Sequence, residues 1–415
     1  MKQYLVIQLA RFGDLLQTKR LLASLCARSG GEVHLCLDRS LAPLARLVYP
    51  GVTLHPITAH GTGLNGVDAA RALLIDNRSA FAELQAMEFD EVYNLNFSPL
   101  NFRLAALFDP DSVTGYSWRD GQELIGTWPA MAMRWSENRR IAPNLMDFWG
   151  AYAHDMIRPE MVNPPACAHG GGIGVVLAGR ESRRSLPADV LAQTASTLAQ
   201  SHKVDSILLL GSKAEITTGQ AVHKRMAPAV QQKTRNLAGK TDWKGLIEIV
   251  SGLDLLLTPD TGTMHLAAHV GTPVIACFLS SAWCFETGPY GEGHTVYQSV
   301  LPCAPCLESA PCPNDMACLN PFSDSKFQRH LVTGKVEHLP NRLESFKSVF
   351  DPFGITFESD DGDDFETRQR AAFRQFLNQY LTGKISNISM ADHEFGRRIY
   401  READWMTMPG KQRKD

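Results

Sequence analysis

No run of apolar residues in this 415-residue chain approaches the ~20 that a helix needs to span a bilayer. The start of the chain, YLVIQLA followed at once by Arg11 and Asp14, lacks the longer apolar core and small-residue cleavage site of a signal peptide. We therefore expect a cytosolic protein, with membrane contact peripheral at most and guided by its substrate at the inner face. Charge of one sign is also missing. The net charge is −3, so no overall field draws nucleic acid, although a local basic stretch runs from Arg180 to Arg184. No Gly-x-Gly-x-x-Gly follows the first strand, which weakens a dinucleotide reading of the first half. Cysteine is not scarce: there are nine, four of them between Cys303 and Cys318. In the cytosol such a group points to metal binding or reduced thiols before disulfides.

What is present is ordinary globular composition, 44% hydrophobic and 20% charged, in a chain too long for one core. Continuous apolar strands alternate with helical spacing: Tyr4 to Ala10, a helix from Leu15 to Arg28, then Val33 to Leu37, Val52 to Ile57 and Glu91 to Leu95. That alternation predicts a parallel sheet covered on both faces. Asn163-Pro164-Pro165 to Gly172 breaks the composition and reads as a linker. The pattern then restarts with strand Ile173 to Leu177, helix Ala188 to Gln200, strand Ser206 to Leu210 and helix Glu215 to Met226. We expect an α/β protein of two doubly wound Rossmann-like domains, 1–165 and 172–320, with a helical extension over 321–415. Beyond Pro321 the sheet pattern is expected to stop. Phe365 to Leu381 has helical spacing, a shorter helix is expected over Ala391 to Ala403, and the acidic DDGDD at 360–364 reads as a solvated turn. Between Tyr116 and Trp149 four tryptophans, at 118, 128, 135 and 149, form either the wall of an acceptor pocket or core packing.

The densest signal is LDLLLTPDTGTMHLAAHVGTPVIACF, Leu253 to Phe278. An apolar strand runs into a short polar turn that opens onto a helix near Thr263. The unpaired N–H groups and partial positive charge of a helix N-terminus make a seat for phosphate. Asp260, Thr261, Gly262 and His265 gather there, and the glycine lets a ligand approach the backbone.

This stretch, extended back to NLAGKTDWKGLIEIVSG, resembles the donor motif of glycosyltransferase family 9, the ADP-heptose:lipopolysaccharide heptosyltransferases. The N-terminal LVIQLARFGDLLQTKRLLASL looks like that family's opening strand, loop and helix. The resemblance covers roughly residues 1 to 320, patchily between 40 and 165. It implies a GT-B fold, with two domains facing a cleft, nucleotide-sugar donor on the second and acceptor on the first. It implies inverting transfer of heptose from ADP-heptose to a hydroxyl of a lipopolysaccharide core or related surface glycan.

Inverting transfer needs a base for the acceptor hydroxyl, and the resemblance gives that role to Asp14. Read by itself, Asp14 before Leu15 is a helix N-cap. A basic residue of the family reaches the diphosphate; Arg183 stands in that register with Arg184 beside it, and a guanidinium neutralises the leaving group through paired donors. Thr261 and the backbone N–H groups would take phosphate oxygens. Asp260, repelled by phosphate, would cap the turn or bond a hydroxyl, and His265 would touch phosphate or sugar. Gly211-Ser212 ends another strand and is a weaker candidate for the adenine or ribose. The loop Thr287 to Gly291, TGPYG, either closes over the donor or is a plain loop with a packed tyrosine. No catalytic cofactor is expected, and no Asp-x-Asp pair stands in the donor loops to hold a divalent ion. Cys303, Cys306, Cys312 and Cys318 could hold a structural zinc or iron, although their spacing has one close pair where structural zinc sites have two. Two rivals stay open: the same fold with a UDP- or GDP-sugar, and a non-catalytic binding or assembly protein.

Overall fold

The computed structural model describes residues 2–60, 66–130, 140–177, 184–306, 311–360, 362 and 365–383. Two compact units emerge. Unit 1 comprises Met1–Ala142, Met146–Ile157 and Arg368–Asp415; unit 2 comprises Pro143–Leu145 and Arg158–Thr367.

Unit 1 is built on a six-stranded sheet: β1 (Lys2–Gln8), β2 (Gly31–Asp38), β3 (Thr53–Ile57), β4 (Glu91–Asn94), β5 (Val113–Arg119) and β6 (Gln122–Ile125). Their order is β3-β2-β1-β4-β5-β6. All neighbours run parallel except the β5–β6 hairpin. Leu5, Ile7, Cys36, Ile57, Val92 and Leu104 form a core with at most 1% exposure, as continuous apolar strands covered on both faces should. Behind β1 the chain forms two helices, Phe12–Gln17 and Lys19–Ala27, where one helix from Leu15 to Arg28 was expected. The break is at Thr18, whose hydroxyl bonds back to the Asp14 carbonyl and accepts from the Gln8 side chain. Thr and Gln competing for backbone and side-chain partners favour such an interruption.

Unit 2 carries eight strands: β7 (Ile173–Val176), β8 (Ile207–Leu210), β9 (Thr234–Asn236), β10 (Leu255–Pro259), β11 (Val274–Phe278), β12 (Thr295–Ser299), β13 (Leu343–Phe350) and β14 (Ile355–Ser359). Their order is β14-β13-β12-β11-β10-β7-β8-β9. β7 to β12 are parallel, and β13 and β14 extend the sheet as an antiparallel hairpin. The sheet pattern therefore does not stop at Pro321. β13 has a mixed burial pattern because one face is partly solvated, so its sequence lacks the unbroken apolar run of the parallel strands. The helix Phe365–Leu381 forms over the expected residues, burying Phe373, Phe376 and Leu377. The expected helix at 391–403 and most of DDGDD lie outside the described residues.

In both sheets the first strand of the unit lies beside the fourth: β1 beside β4, and β7 beside β10. The connections run one way from β1 and the other way from β4, and likewise from β7 and β10. In open α/β sheets ligands bind in the crevice outside the carboxyl ends of the strands at such a reversal. Topology alone thus selects four strand ends, two in each unit.

Candidate functional site

In unit 2 the selected ends are those of β7 and β10. β10 ends at Pro259, and the chain turns through Asp260 and Thr261 into the helix Gly262–Val270. Thr261 is the N-cap: its backbone is extended, at φ −147° and ψ 162°, and its hydroxyl accepts from the Met264 N–H. The Thr258 and Thr261 hydroxyls lie 3.0 Å apart, which fixes the cap rotamer. At the other end Gly271 takes a left-handed φ of +81°, where a Cβ would meet Pro164 Cγ at 2.9 Å. Glycine closes this helix because only it fits both the dihedral and the neighbour. The helix starts at Gly262, one residue before the position expected.

Asp260 is 7% exposed, and its carboxylate is ion-paired with the Arg184 guanidinium at 3.0 Å. Like charge would otherwise set Asp260 against phosphate; Arg184 offsets it. His265 sits on the first helical turn and is buried, with no hydrogen-bond partner at its Nδ1. Burial, and then the neighbouring Arg184 charge, push its pKa down to about 3. It is a neutral imidazole near pH 7, so any contact it makes with an anion is a hydrogen bond from a neutral ring and not an ion pair. Arg183, with Arg180, lies outside the described residues.

Gly211 and Ser212 follow β8, away from the β7–β10 reversal. The Ser212 hydroxyl accepts from the Ala214 N–H, and its own N–H donates to Glu215 Oε2 at 2.6 Å. A Cβ on Gly211 would meet Glu215 Cβ at 2.9 Å, so this glycine makes room for Glu215. In the loop after Trp283, Tyr290 is 1% exposed; Asn163 Nδ2 donates to its carbonyl at 2.7 Å, and Asn144 Nδ2 donates to the Gly288 carbonyl at 3.2 Å. The tyrosine is packed into unit 2.

Cys303, Cys306, Cys312 and Cys318 do come together: all four line one cavity of about 290 Å³, with Ser280 and Ser281. Among the described residues, however, no three His, Cys, Asp or Glu side chains are grouped to hold a metal ion. A tetrahedral thiolate site needs sulfurs converging about 2.3 Å from one point. The expected zinc or iron site is not formed by the described residues.

In unit 1 the selected ends are those of β1 and β4. Asp14 is the third residue of the helix Phe12–Gln17, not its N-cap, and its carboxylate accepts from the Arg11 N–H at 3.0 Å. A carboxylate in a first helical turn is favoured by the helix dipole, and this bond fixes its direction. The loop leading to it is pinned from two sides. Asn96, just past β4, accepts from the Leu9 N–H at 2.7 Å and donates to Gln8 Oε1 at 2.6 Å. His60, just past β3, reaches the Leu9 carbonyl with its Nε2 at 2.6 Å, and its backbone N–H donates to Asp38. Sequence reasoning missed Asn96 and His60. Their one signal was position immediately after an apolar strand.

Of the tryptophans, Trp128 and Trp149 are buried; Trp128 Nε1 donates to the Phe148 carbonyl at 2.8 Å. Trp118 is half-buried and stacks with the Arg103 guanidinium, 3.9 Å from the ring centroid. Core packing accounts for Trp128 and Trp149; Trp135 lies outside the described residues.

Two doubly wound sheets of this topology match the GT-B fold, and solved structures share it. Escherichia coli ADP-heptose lipopolysaccharide heptosyltransferase II matches 78% of this chain and 98% of its own, with a TM-score of 0.53 and 17% identity. E. coli heptosyltransferase WaaC, solved with ADP, matches 70% of this chain and 91% of its own, with a TM-score of 0.50 and 16% identity. Residues 187–316 match the family model of glycosyltransferase family 9 (heptosyltransferase). A 57-residue stretch is 49% identical to the lipopolysaccharide core heptosyltransferase OpsX of Haemophilus influenzae, covering 14% of this chain and 16% of that protein. A 134-residue stretch is 30% identical to lipooligosaccharide heptosyltransferase 2 of Campylobacter jejuni, covering 32% and 40%. The matched stretches thus span less than half the length of these curated relatives.

Proposed function

We propose that the protein is an inverting glycosyltransferase that moves a heptose from ADP-heptose to a hydroxyl of a lipopolysaccharide core or related surface glycan. The observation that carries this reading is the Thr258–His265 turn. It is a capped helix N-terminus at the β7–β10 reversal, inside the family match, with its one acidic residue paired to Arg184.

The chemistry divides between the units. On unit 1, Asp14 accepts the proton of the acceptor hydroxyl as that oxygen attacks the anomeric carbon. The bond from the anomeric carbon to the β-phosphate oxygen breaks, and ADP leaves with the electron pair. On unit 2, the open N–H groups at Gly262 and Thr263, with the guanidinium of Arg184 or Arg183, stabilise the negative charge that collects on that phosphate. His265, neutral, adds a hydrogen bond without adding charge. No helix among the described residues is long and apolar enough to cross a membrane, which fits an enzyme that meets its glycolipid acceptor at the inner membrane face.

Calorimetric titration with ADP, UDP and GDP tests the donor. Binding of ADP well above the other two is expected; tight UDP or GDP binding without ADP would move the enzyme to another nucleotide sugar. If the wild type transfers sugar from none of the corresponding ADP-, UDP- or GDP-sugars, the protein is a binding module that keeps the fold.

A further inference from the structure

We infer that Phe97 is the platform on which the acceptor's sugar ring stacks, a specificity determinant for a pyranose with an apolar C–H face. The inference rests on the transferase reading and adds the acceptor contact that this reading lacks.

Phe97 lies three residues past the end of β4, at the β1–β4 reversal. It is 59% exposed, among the most exposed large apolar side chains described. A solvated phenylalanine is unremarkable on a random surface, but this one is neither at a random place nor loosely held. Its ring meets Phe102 edge-on at 5.5 Å and Tyr116 at 5.6 Å, and those two meet each other at 5.8 Å. Phe102 and Tyr116 are buried. The ring is therefore propped by a fixed aromatic base and still presents much of its surface.

Its segment and the one that leads to the proposed base leave neighbouring strands of one ladder. Ile7 pairs with Asn94 across β1 and β4, and the Leu95 N–H continues the ladder to the Ile7 carbonyl at 3.1 Å. Beyond Gln8 and Asn94 the chain leaves the two strands. There the Asn96 side-chain oxygen accepts from the Leu9 N–H at 2.7 Å. Arg11, two residues past Leu9, gives its N–H to the Asp14 carboxylate. So Phe97 and the helix that carries the proposed base both follow the carboxyl ends of the two strands at the reversal, and Asn96 links the segments that lead to them. The C–H face of a pyranose packs on an aromatic ring, while the hydroxyls on its rim stay free to meet a carboxylate. A base that must select one hydroxyl needs such a surface to orient the ring.

The test uses a deacylated, heptose-free lipopolysaccharide core oligosaccharide as probe, read by saturation-transfer NMR without any donor. Wild type is expected to bind it, Phe97→Trp to keep binding, and Phe97→Leu, which conserves apolar volume but removes the ring face, to weaken it about ten-fold. In turnover the same Phe97→Leu should raise KM for the acceptor with kcat and ADP affinity little changed. Phe97→Leu is preferred to alanine because it leaves the packing on Phe102 and Tyr116 partly filled. Undiminished oligosaccharide binding by Phe97→Leu overturns the platform, as does an absence of binding by wild type. ADP affinity, measured separately, reports on the transferase reading, so the two can fail independently.

Discussion

The two reversals in this chain share a topology and differ in electrostatics. At β1–β4 the chain presents an acid residue in the first turn of a short helix, directed by a backbone N–H and steadied by Asn96 and His60. At β7–β10 it presents a helix N-terminus whose acidic neighbour is neutralised by Arg184 and whose histidine is buried and uncharged. The first arrangement suits taking up a proton, and the second suits receiving an anion. The lesson is that the doubly wound sheet supplies the place, while the two or three residues after each strand supply the chemistry.

The sharpest way to break this comparison is Asp14→Asn. If unit 1 supplies the base, transfer should fall by about 10²- to 10⁴-fold, while ADP affinity, a property of unit 2, should hold within about two-fold. Unchanged turnover in that variant would remove the proposed base.

A second effect of comparable size concerns stability. Arg20, on the helix that follows Asp14, is 2% exposed and pairs with the fully buried Asp147 at 2.6 Å, while its Nε and Nη2 donate to the Ile157 carbonyl. Removing one member of a buried pair strands the other charge. Asp147→Asn should therefore cost about 3–5 kcal/mol in chemical denaturation. Arg20→Met with Asp147→Leu together should cost much less. Similar losses in the single and double variants would show that packing, not the ion pair, dominates there.

Much of this was legible from the residues. The parallel strands β1 to β4, β7, β8, β10 and β11 could be placed because buried parallel strands leave unbroken apolar runs, whereas β9, the short TRN, leaves none. The helix N-terminus after β10 could be placed because an apolar strand runs into a short polar turn with Thr261 and Gly262 before the helical spacing begins. β13 and β14 were not legible, since Lys347 and Glu344 interrupt strands that are covered on one side. Nor was the Arg184–Asp260 pair, which joins residues 76 apart in sequence. Asn96 and His60 were hidden for the same reason: their partners are set by strand order, which periodicity does not report. The cysteines gather at one cavity, as their shared segment suggested, but no group among the described residues is arranged to hold a metal ion.

The pH dependence separates the buried imidazole from a charged one. His265 is held at about 3, and His55 and His294 at about 4, in each case chiefly by burial. An unfolded histidine titrates near 6.5. Below that value the unfolded chain takes up protons that the folded protein refuses, so stability falls as pH drops from about 6.5 towards 3, and these groups contribute no slope above it. Each contributes up to ~1.4 kcal/mol per pH unit within the window. His265→Gln should flatten the slope between pH 6 and 4 in urea denaturation. ADP affinity should show no titration near pH 6.5 assignable to His265; a midpoint there that His265→Gln abolishes would mean that the ring binds phosphate as a cation.

The smallest expected effect examines the seat itself. Thr261→Val keeps the shape of the cap residue but loses the hydroxyl that accepts from Met264 N–H and meets Thr258. Loss of an N-cap should lower unfolding stability by about 1 kcal/mol. If the same turn holds the diphosphate, the variant should also weaken ADP binding, because the N–H groups it orders lose their fixed direction. Adenosine separates these two consequences, since it has the base and ribose but no phosphate. Thr261→Val should bind adenosine as wild type does and ADP several-fold more weakly. Equal losses for both ligands would mean that the cap supports unit 2 as a whole, and the contrast between a proton-accepting and an anion-receiving reversal would then rest on Arg184 and Arg183 rather than on the helix end.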